Sequence, residues 1–408
     1  MNILIVSQYF YPEIFRINDL ANEFQSKGHQ LTILTGTPNY PSGQFFDGYG
    51  IFKKNIDNYK GMRVLRCPLI PRGSASSLRL VLNYVSFVFS SIIASLFLLN
   101  KDYDIIFVFE PSPITVCLPA IFIKKIKKIP ICFWVLDLWP ESVISAGNFK
   151  TENISKLLNP LVKFIYNHSD KILVSSQGFI KSIVAKGISK KKITYLPQWA
   201  ETLFKPVKNH GNELSFIPND SFKIMFAGNI GEAQDFPSII KCASILKKYQ
   251  HIHWIILGDG RKKEWVQSEI KKQNLESNFH LLGKFPLEKM PSFYSQADCM
   301  LFSLKKDDIF SITVPAKVQT YLACAKPIIA MIDGEASKII IDSKAGFVSP
   351  SQSPVLLAKN IKKISLLSQN ELNKLGKKAF NYYKSEFERS FLIEKIEKIL
   401  KNMIKKKV

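Results

Sequence analysis

Between Asp298 and Phe347 the chain alternates short apolar runs with stretches of helical spacing, and Pro or Gly breaks each join. Cys299 to Phe302 reads as a strand, Ser303 to Val314 as a polar loop, Pro315 to Cys324 as a helix and Pro327 to Met331 as a second strand. Glu335 to Ile341 restarts a helix, and Phe347 and Val348 a third strand. Apolar strands separated by helices are the pattern of βαβ units in a parallel sheet. Such sheets bind ligands beyond the carboxyl ends of their strands, so the 303–314 loop and the helix start at Pro315 face a crevice. Main-chain N–H groups and the helix dipole favour an anion there. Lys317 stands in that first turn, where the dipole alone disfavours a cation and a bound anion reverses the balance. An ordinary solvated lysine reads equally well in a chain with 56 Lys and Arg.

The same grammar recurs along all 408 residues, a length at which two domains are the default. In the first half, strands are predicted at Asn2 to Ser7, Gln30 to Leu34, Met62 to Cys67, Asp104 to Phe109, Pro130 to Leu136, Lys171 to Ser175 and Ile193 to Leu196. Loops after these strands carry the polar residues expected on a sugar or acceptor face, Glu13 after the first, Asn39 and Tyr40 after the second and Glu110 after the fourth, with Arg16 also following the first. After the fifth comes Asp137-Leu138-Trp139-Pro140-Glu141-Ser142. Two carboxylates at a strand end beside an indole are costly unless paired, so Asp137 and Glu141 read as ligands for sugar or acceptor hydroxyls. A turn-capping Asp137 is the alternative. Pro197-Gln198-Trp199 opens a linker, and Lys208 to Asp220 reads as the inter-domain connection. The second half starts with a strand, Phe222 to Ala227, and a Gly-rich turn, Gly228-Asn229-Ile230-Gly231. Trp254 to Leu257 leads to Gly258, and His280 to Leu282 to Gly283-Lys284-Phe285.

The order of motifs A-D, A-K-P-I-I-A, D-G-E-A and A-G-F-V, with P-E-I-F-R-I-N-D and D-L-W-P-E-S near the amino terminus, resembles glycosyltransferase family 4 over nearly the whole chain. It is similar to the bacterial fucosamine-type transferases of O-antigen and capsule assembly. The resemblance implies an α/β GT-B fold: residues 1–200 as a Rossmann-like acceptor domain, 201–385 as a Rossmann-like nucleotide-sugar domain, and 386–408 as a helix crossing back to the first domain. It implies a retaining transfer from a UDP-sugar to a polyprenyl-diphosphate-linked saccharide, with no metal and no cofactor beyond the donor. Gly228, Asn229 and Gly231 correspond to the family's diphosphate loop, Gly258, Gly283 and Phe285 to its neighbouring turns, and Pro315 to the donor helix. The family's spaced glutamates fall near Ile312 and Thr320, neither acidic, and its Arg/Lys diphosphate clamp is missing. Arg16, Lys305 and Lys317 are the candidate replacements, and main-chain amides of residues 228–231 are expected to stabilise the leaving diphosphate. A nucleotide-sugar 2-epimerase and an inactive assembly partner share the layout.

A formal net charge of +23 implies an acidic partner. Nucleic acid is disfavoured, since no zinc-finger spacing or RNP-like motif occurs. Six scattered cysteines without a C-x-x-C pair suggest buried thiols in a reducing cytoplasm. Leu80 to Asn100 has no charged residue and about the length of a bilayer span. Leu82, Val85, Phe89, Ile92, Ile93 and Leu96 fall on one face, and Asn83, Ser86 and Ser90 on another. This pattern suggests a helix lying in the inner face of the plasma membrane, with Arg72, Arg79, Lys101 and Lys124, Lys125, Lys127 and Lys128 at anionic headgroups. A buried core helix is the competing reading.

Overall fold

The computed structural model describes residues 1–74, 76–99, 102–146, 151–207 and 211–406, so Asn100, Lys101 and the start of the 208–220 connection lie outside the described residues. The chain forms two compact units: Met1–Leu196 with Ile393–Val408, and Pro197–Leu392.

In the first unit eight strands form one sheet: β1 (Asn2–Val6), β2 (Gln30–Gly36), β3 (Ile56–Tyr59), β4 (Met62–Cys67), β5 (Ile105–Glu110), β6 (Ile131–Val135), β7 (Lys171–Val174) and β8 (Ile193–Tyr195). Their order is β3-β4-β2-β1-β5-β6-β7-β8, parallel throughout except for β3. Helices α1 (Arg16–Ser26), α2 (Ser77–Leu98), α3 (Cys117–Lys127), α4 (Glu141–Ala146), α5 (Thr151–His168) and α6 (Gln177–Ala185) connect them. The central strands are apolar and buried because helices cover both faces: Phe107, Phe133 and Trp134 are fully enclosed. The sequence pattern misses β3, whose I-D-N-Y alternates exposed and half-buried positions at the sheet edge. It pairs with β4 through Lys60-Gly61, both with positive φ, a two-residue turn for which Lys is an unusual first residue.

Helix α2 is neither a core helix nor an ordinary amphipathic one. Its buried residues are Asn83, Phe87, Ser91 and Ser95, while Val81, Val85, Phe89, Ile93, Leu96 and Phe97 are exposed. The small polar side chains therefore face the protein, where Ser91 and Ser95 bond back to carbonyls of their own helix and Asn83 holds Gln8 at 2.7 Å. The apolar face looks outward, which removes the core-helix reading.

The second unit holds β9 (Phe222–Ala227), β10 (Ile252–Leu257), β11 (Phe279–Gly283), β12 (Cys299–Ser303), β13 (Ile328–Met331) and β14 (Gly346–Ser349), in the order β11-β10-β9-β12-β13-β14, all parallel. Helices α7 (Phe236–Ile245), α8 (Lys263–Lys272), α9 (Met290–Gln296), α10 (Asp308–Ile312), α11 (Ala316–Ala323), α12 (Gly334–Asp342), α13 (Pro354–Ser365) and α14 (Gln369–Glu386) complete this doubly wound unit. Alternate strand residues feed two cores, Met225, Ile255 and Met300 on one face and Ile224, Trp254 and Leu301 on the other. The 303–314 segment is not all loop: Asp307 accepts the Ile309 N–H at 3.0 Å and caps the short α10. Gly334 then has to be glycine, because a Cβ there would lie 1.8 Å from the Ser311 carbonyl oxygen of α10.

The last helix, α15 (Arg389–Lys405), brings the chain back to the first unit. Ile393, Ile396 and Leu400 are fully buried, Lys395 donates to the Tyr195 carbonyl at 3.1 Å, and Glu397 pairs with Lys27 and His29. Phe391, two residues before Ile393, is exposed. Leu400→Ala should destabilise the first unit by roughly 2–5 kcal/mol, with Phe391→Ala close to neutral, as urea denaturation will read.

Candidate active site

In the second unit the sheet changes winding direction between β9 and β12, which leaves their carboxyl ends uncovered. Three turns close there, backbone on backbone. The Gly228 N–H donates to Leu257 O, Gly258 N–H to Gly283 O and Ile230 N–H to Asp259 O, each at 2.8 Å. A Cβ on Gly258, whose φ is +141°, would lie 1.8 Å from Gly228 O, so only glycine permits this approach. The expectation that amides of residues 228–231 hold a diphosphate needs correction here. Gly228 and Ile230 spend theirs on the neighbouring turn, and Gly231 donates to the Gln234 side chain at 3.2 Å. Among the described residues, Asn229 alone in that turn keeps an N–H without a recorded partner.

Lys317 occupies the space beside this turn. Its Nζ lies 4.3 Å from the centre of the Phe226 ring, and its end crosses Gly228 so closely that a Cβ there would sit 2.4 Å from it. No carboxylate or hydrogen-bond acceptor is recorded for this ammonium among the described residues, and burial pushes its pKa down to about 8. Pro315 precedes α11 without a side-chain cap; the Val318 N–H donates to Pro315 O at 3.1 Å, and the Ala316 and Lys317 amides have no partner among the described residues. Lys305 anchors its N–H to Ala233 O at 2.9 Å and lies near enough to Glu232 and Asp235 to favour their charged forms. Lys262, passed over in the sequence, pairs with Glu232 at 2.8 Å; R-K-K after G-D-G is its only sequence signal. Phe285 packs its ring 4.5 Å from Phe293. Thr320, at the position of one of the family's glutamates, is buried and donates to Ala316 O of its own helix at 3.1 Å.

The first unit has its own switch point, between β1 and β5. Glu110, at the end of β5, is wholly buried, and its Oε1 has no partner. Its Oε2 accepts the Asp137 N–H at 3.4 Å, and Asp137 Oδ2 accepts from Trp139 Nε1 at 3.2 Å. Burial raises both carboxyl pKa values, and for Glu110 the Asp137 charge adds to it. Two acids this close resist ionising together, which leaves one hydrogen-bond donor and one acceptor for a hydroxyl. The residues meant to line an acceptor face divide differently. Glu13 accepts the N–H groups of Phe10, Asn39 and Tyr40, and burial still raises its pKa to about 7, so it fastens two loops together. Asn39 is spent on Thr37 O and the Arg72 N–H. Tyr40 keeps an exposed ring, over which Arg72 lies at 5.2 Å while donating to Tyr9 Oη at 2.9 Å. Arg72 is therefore tied to the loops and not free for a headgroup. Glu141 accepts from Ser182 Oγ at 2.5 Å and pairs with Lys186 through Oε1, which binds α4 to α6, while its buried Oε2 has no partner among the described residues. Arg16 is buried at the start of α1.

The family described as Glycosyltransferase Family 4 matches residues 16–202, and that described as Glycosyl transferases group 1 matches residues 212–382. Over 266 residues the chain is 27% identical to "Probable glycosyltransferase WbjE" of Pseudomonas aeruginosa, covering 62% of this chain and 65% of that protein, just under two thirds of its length. It is 23% identical over 340 residues to Escherichia coli WcaI, named for colanic acid biosynthesis, covering 79% and 81%. Among solved structures it superposes on a sucrose-phosphate synthase from Thermosynechococcus elongatus with TM-score 0.78 at 13% identity, over 99% of each chain. The Anabaena Alr3699/HepE complex with UDP and glucose gives 0.70 at 14%, over 98% of this chain and 99% of that one. Those two likenesses establish a shared fold. The chain is a glycosyltransferase of family 4 type, built from the two domains of the GT-B fold.

Proposed function

We propose that the protein moves a sugar from a UDP-sugar, with retained configuration, to a saccharide carried on a polyprenyl diphosphate, in surface polysaccharide assembly. The observation that carries the donor half is the unpartnered Lys317 ammonium between Gly228 and the open start of α11. A diphosphate is the anion whose size and charge suit that place, and UDP and glucose occupy the related Anabaena protein. The bond from the sugar's anomeric carbon to the phosphate oxygen breaks as the acceptor oxygen bonds to the same carbon and face. The acceptor's proton passes to the departing phosphate oxygen, whose charge Lys317 and the Asn229 and α11 amides offset. Asp137, with Glu110 behind it, orients the sugar or the acceptor hydroxyl. The acceptor class is supported by the colanic acid biosynthesis for which WcaI is named and by the outward apolar face of α2, which suits a substrate held in a membrane.

Membranes incubated with a panel of UDP-sugars test the reading. Sugar in the lipid extract is the expected result; free epimer would favour the epimerase alternative, and neither product would favour an inactive partner. Lys317 gives a sharper test, because its lowered pKa is a stability statement. Between pH 8 and about 10.5 the unfolded chain holds a proton that the folded one lacks, so apo stability rises with pH through that window. Lys317→Met should therefore melt higher than wild type at pH 7, with the gap closing above pH 8. The same variant should lose the thermal shift that UDP gives wild type. For α2, Phe89→Glu with Ile93→Glu should release a folded protein from anionic liposomes in a flotation gradient; wild type that never floats would count against the membrane surface.

A further inference from the structure

A concavity of about 690 Å³ opens in the first unit at the amino-terminal edge of its sheet, where β6 and β7 begin. This is the edge opposite Glu110 and Asp137, so it belongs to neither half of the proposed reaction. Seven lysines line it, from the end of α3, the start of β7, the Lys190–Lys192 turn and the end of α15, against a single acid, Asp170.

Part of this charge has an ordinary explanation. Helix α5 ends here with carbonyls that need donors, and Lys124 donates to His168 O at 3.0 Å and pairs with Asp170. Lys192 donates to Asn167 O at 2.9 Å and Ser169 O at 3.1 Å, and Lys171 to Lys191 O at 3.1 Å. Lys125, Lys128, Lys191 and Lys406 have no such task. No acid or carbonyl is recorded for their ammonium groups among the described residues. Four uncompensated cations gathered around one hollow repel each other unless an anion sits among them.

The floor of the hollow is apolar, formed by Ile121, Ile129, Pro130 and Met403. Inorganic phosphate has no use for such a floor, whereas a phosphate esterified to a glycerol and acyl chains does. The surroundings agree. Helix α2 packs on α3, and both run from the carboxyl to the amino edge of the sheet, so the exposed Ile93, Leu96 and Phe97 and the exposed Ile126 finish near this edge. We infer that the hollow between α3, β7 and α15 is a binding site for the phosphate headgroup of an anionic membrane lipid, lysines around the phosphate and the acyl stem against the apolar floor. The site turns a greasy face into a charged and oriented one, and it goes beyond the sugar-transfer reading without depending on it.

The test uses the full chain and vesicles of phosphatidylcholine with or without phosphatidylglycerol. The triple variant Lys128→Ser, Lys191→Ser, Lys406→Ser removes unpaired hollow lysines. Lys374→Ser, Lys377→Ser, Lys378→Ser removes the same charge from α14 in the other unit. Each cation near an anionic surface contributes about fivefold, so the hollow variant should partition at least tenfold more weakly to phosphatidylglycerol vesicles, with the α14 variant within twofold of wild type. Sugar transfer to a detergent-solubilised acceptor should be unchanged in both. Equal losses in the two triples would reduce the hollow to net charge and overturn the inference. Retained vesicle binding in the hollow variant, with inorganic phosphate protecting Lys191 and Lys406 from amine labelling in wild type, would make it a free-anion site and overturn the lipid assignment.

Discussion

A parallel sheet can hide its strands on both faces but not where its crossovers change direction. Between β1 and β5, and again between β9 and β12, the carboxyl ends are left without a covering helix. The groups that carry the proposed transfer gather at those two places. The buried Glu110 with the half-buried Asp137 stands at the first, and the stacked glycine turns with Lys317 at the second. Each combination is unfavourable for a resting fold, since carboxyls crowd one another and an ammonium is held without a counter-charge. Such local conflicts, within sheets that are otherwise consistent from propensity to packing, are what a binding site costs its protein.

Much of the architecture was legible because parallel strands buried on both faces leave continuous apolar runs. I-L-I-V at β1 and I-I-F-V-F at β5 can be little else once Gly, Pro and polar residues bound them. The limits of that legibility were equally physical. β3 hid because an edge strand needs only half its residues buried, and α10 hid because a five-residue helix is made by its Asp307 cap and not by periodicity.

Side-chain roles were harder to read, for a single reason. A carboxylate at a strand end looks the same in sequence whether it meets a ligand or another element. Glu141 and Glu13 proved to be fasteners because Lys186 lies forty-five positions downstream of one, and the Asn39 and Tyr40 amides follow the other across β2. Glu110 and Asp137 differ in that, among the described residues, neither pairs with a cation and Glu110 keeps a buried oxygen without a partner. The glycine turns gave the opposite lesson. Their spacing marked where three turns meet at the strand ends, but the Gly228 and Ile230 amides are bonded to the adjacent turn, so the proposed anion contact rests on Lys317 and α11.

Helix α2 reverses the usual division of labour between the two sides of a helix. Where most surface helices are held by a stripe of apolar side chains and tolerate almost anything outside, this one is seated by a single aromatic, Phe87, flanked by the small polar Asn83, Ser91 and Ser95 in close quarters. Its tolerance to mutation is therefore inverted. On the proposed membrane reading, outward positions accept one greasy residue for another of any shape, because lipid would be a fluid partner, while the small inward serines are the positions where a single added methylene has nowhere to go.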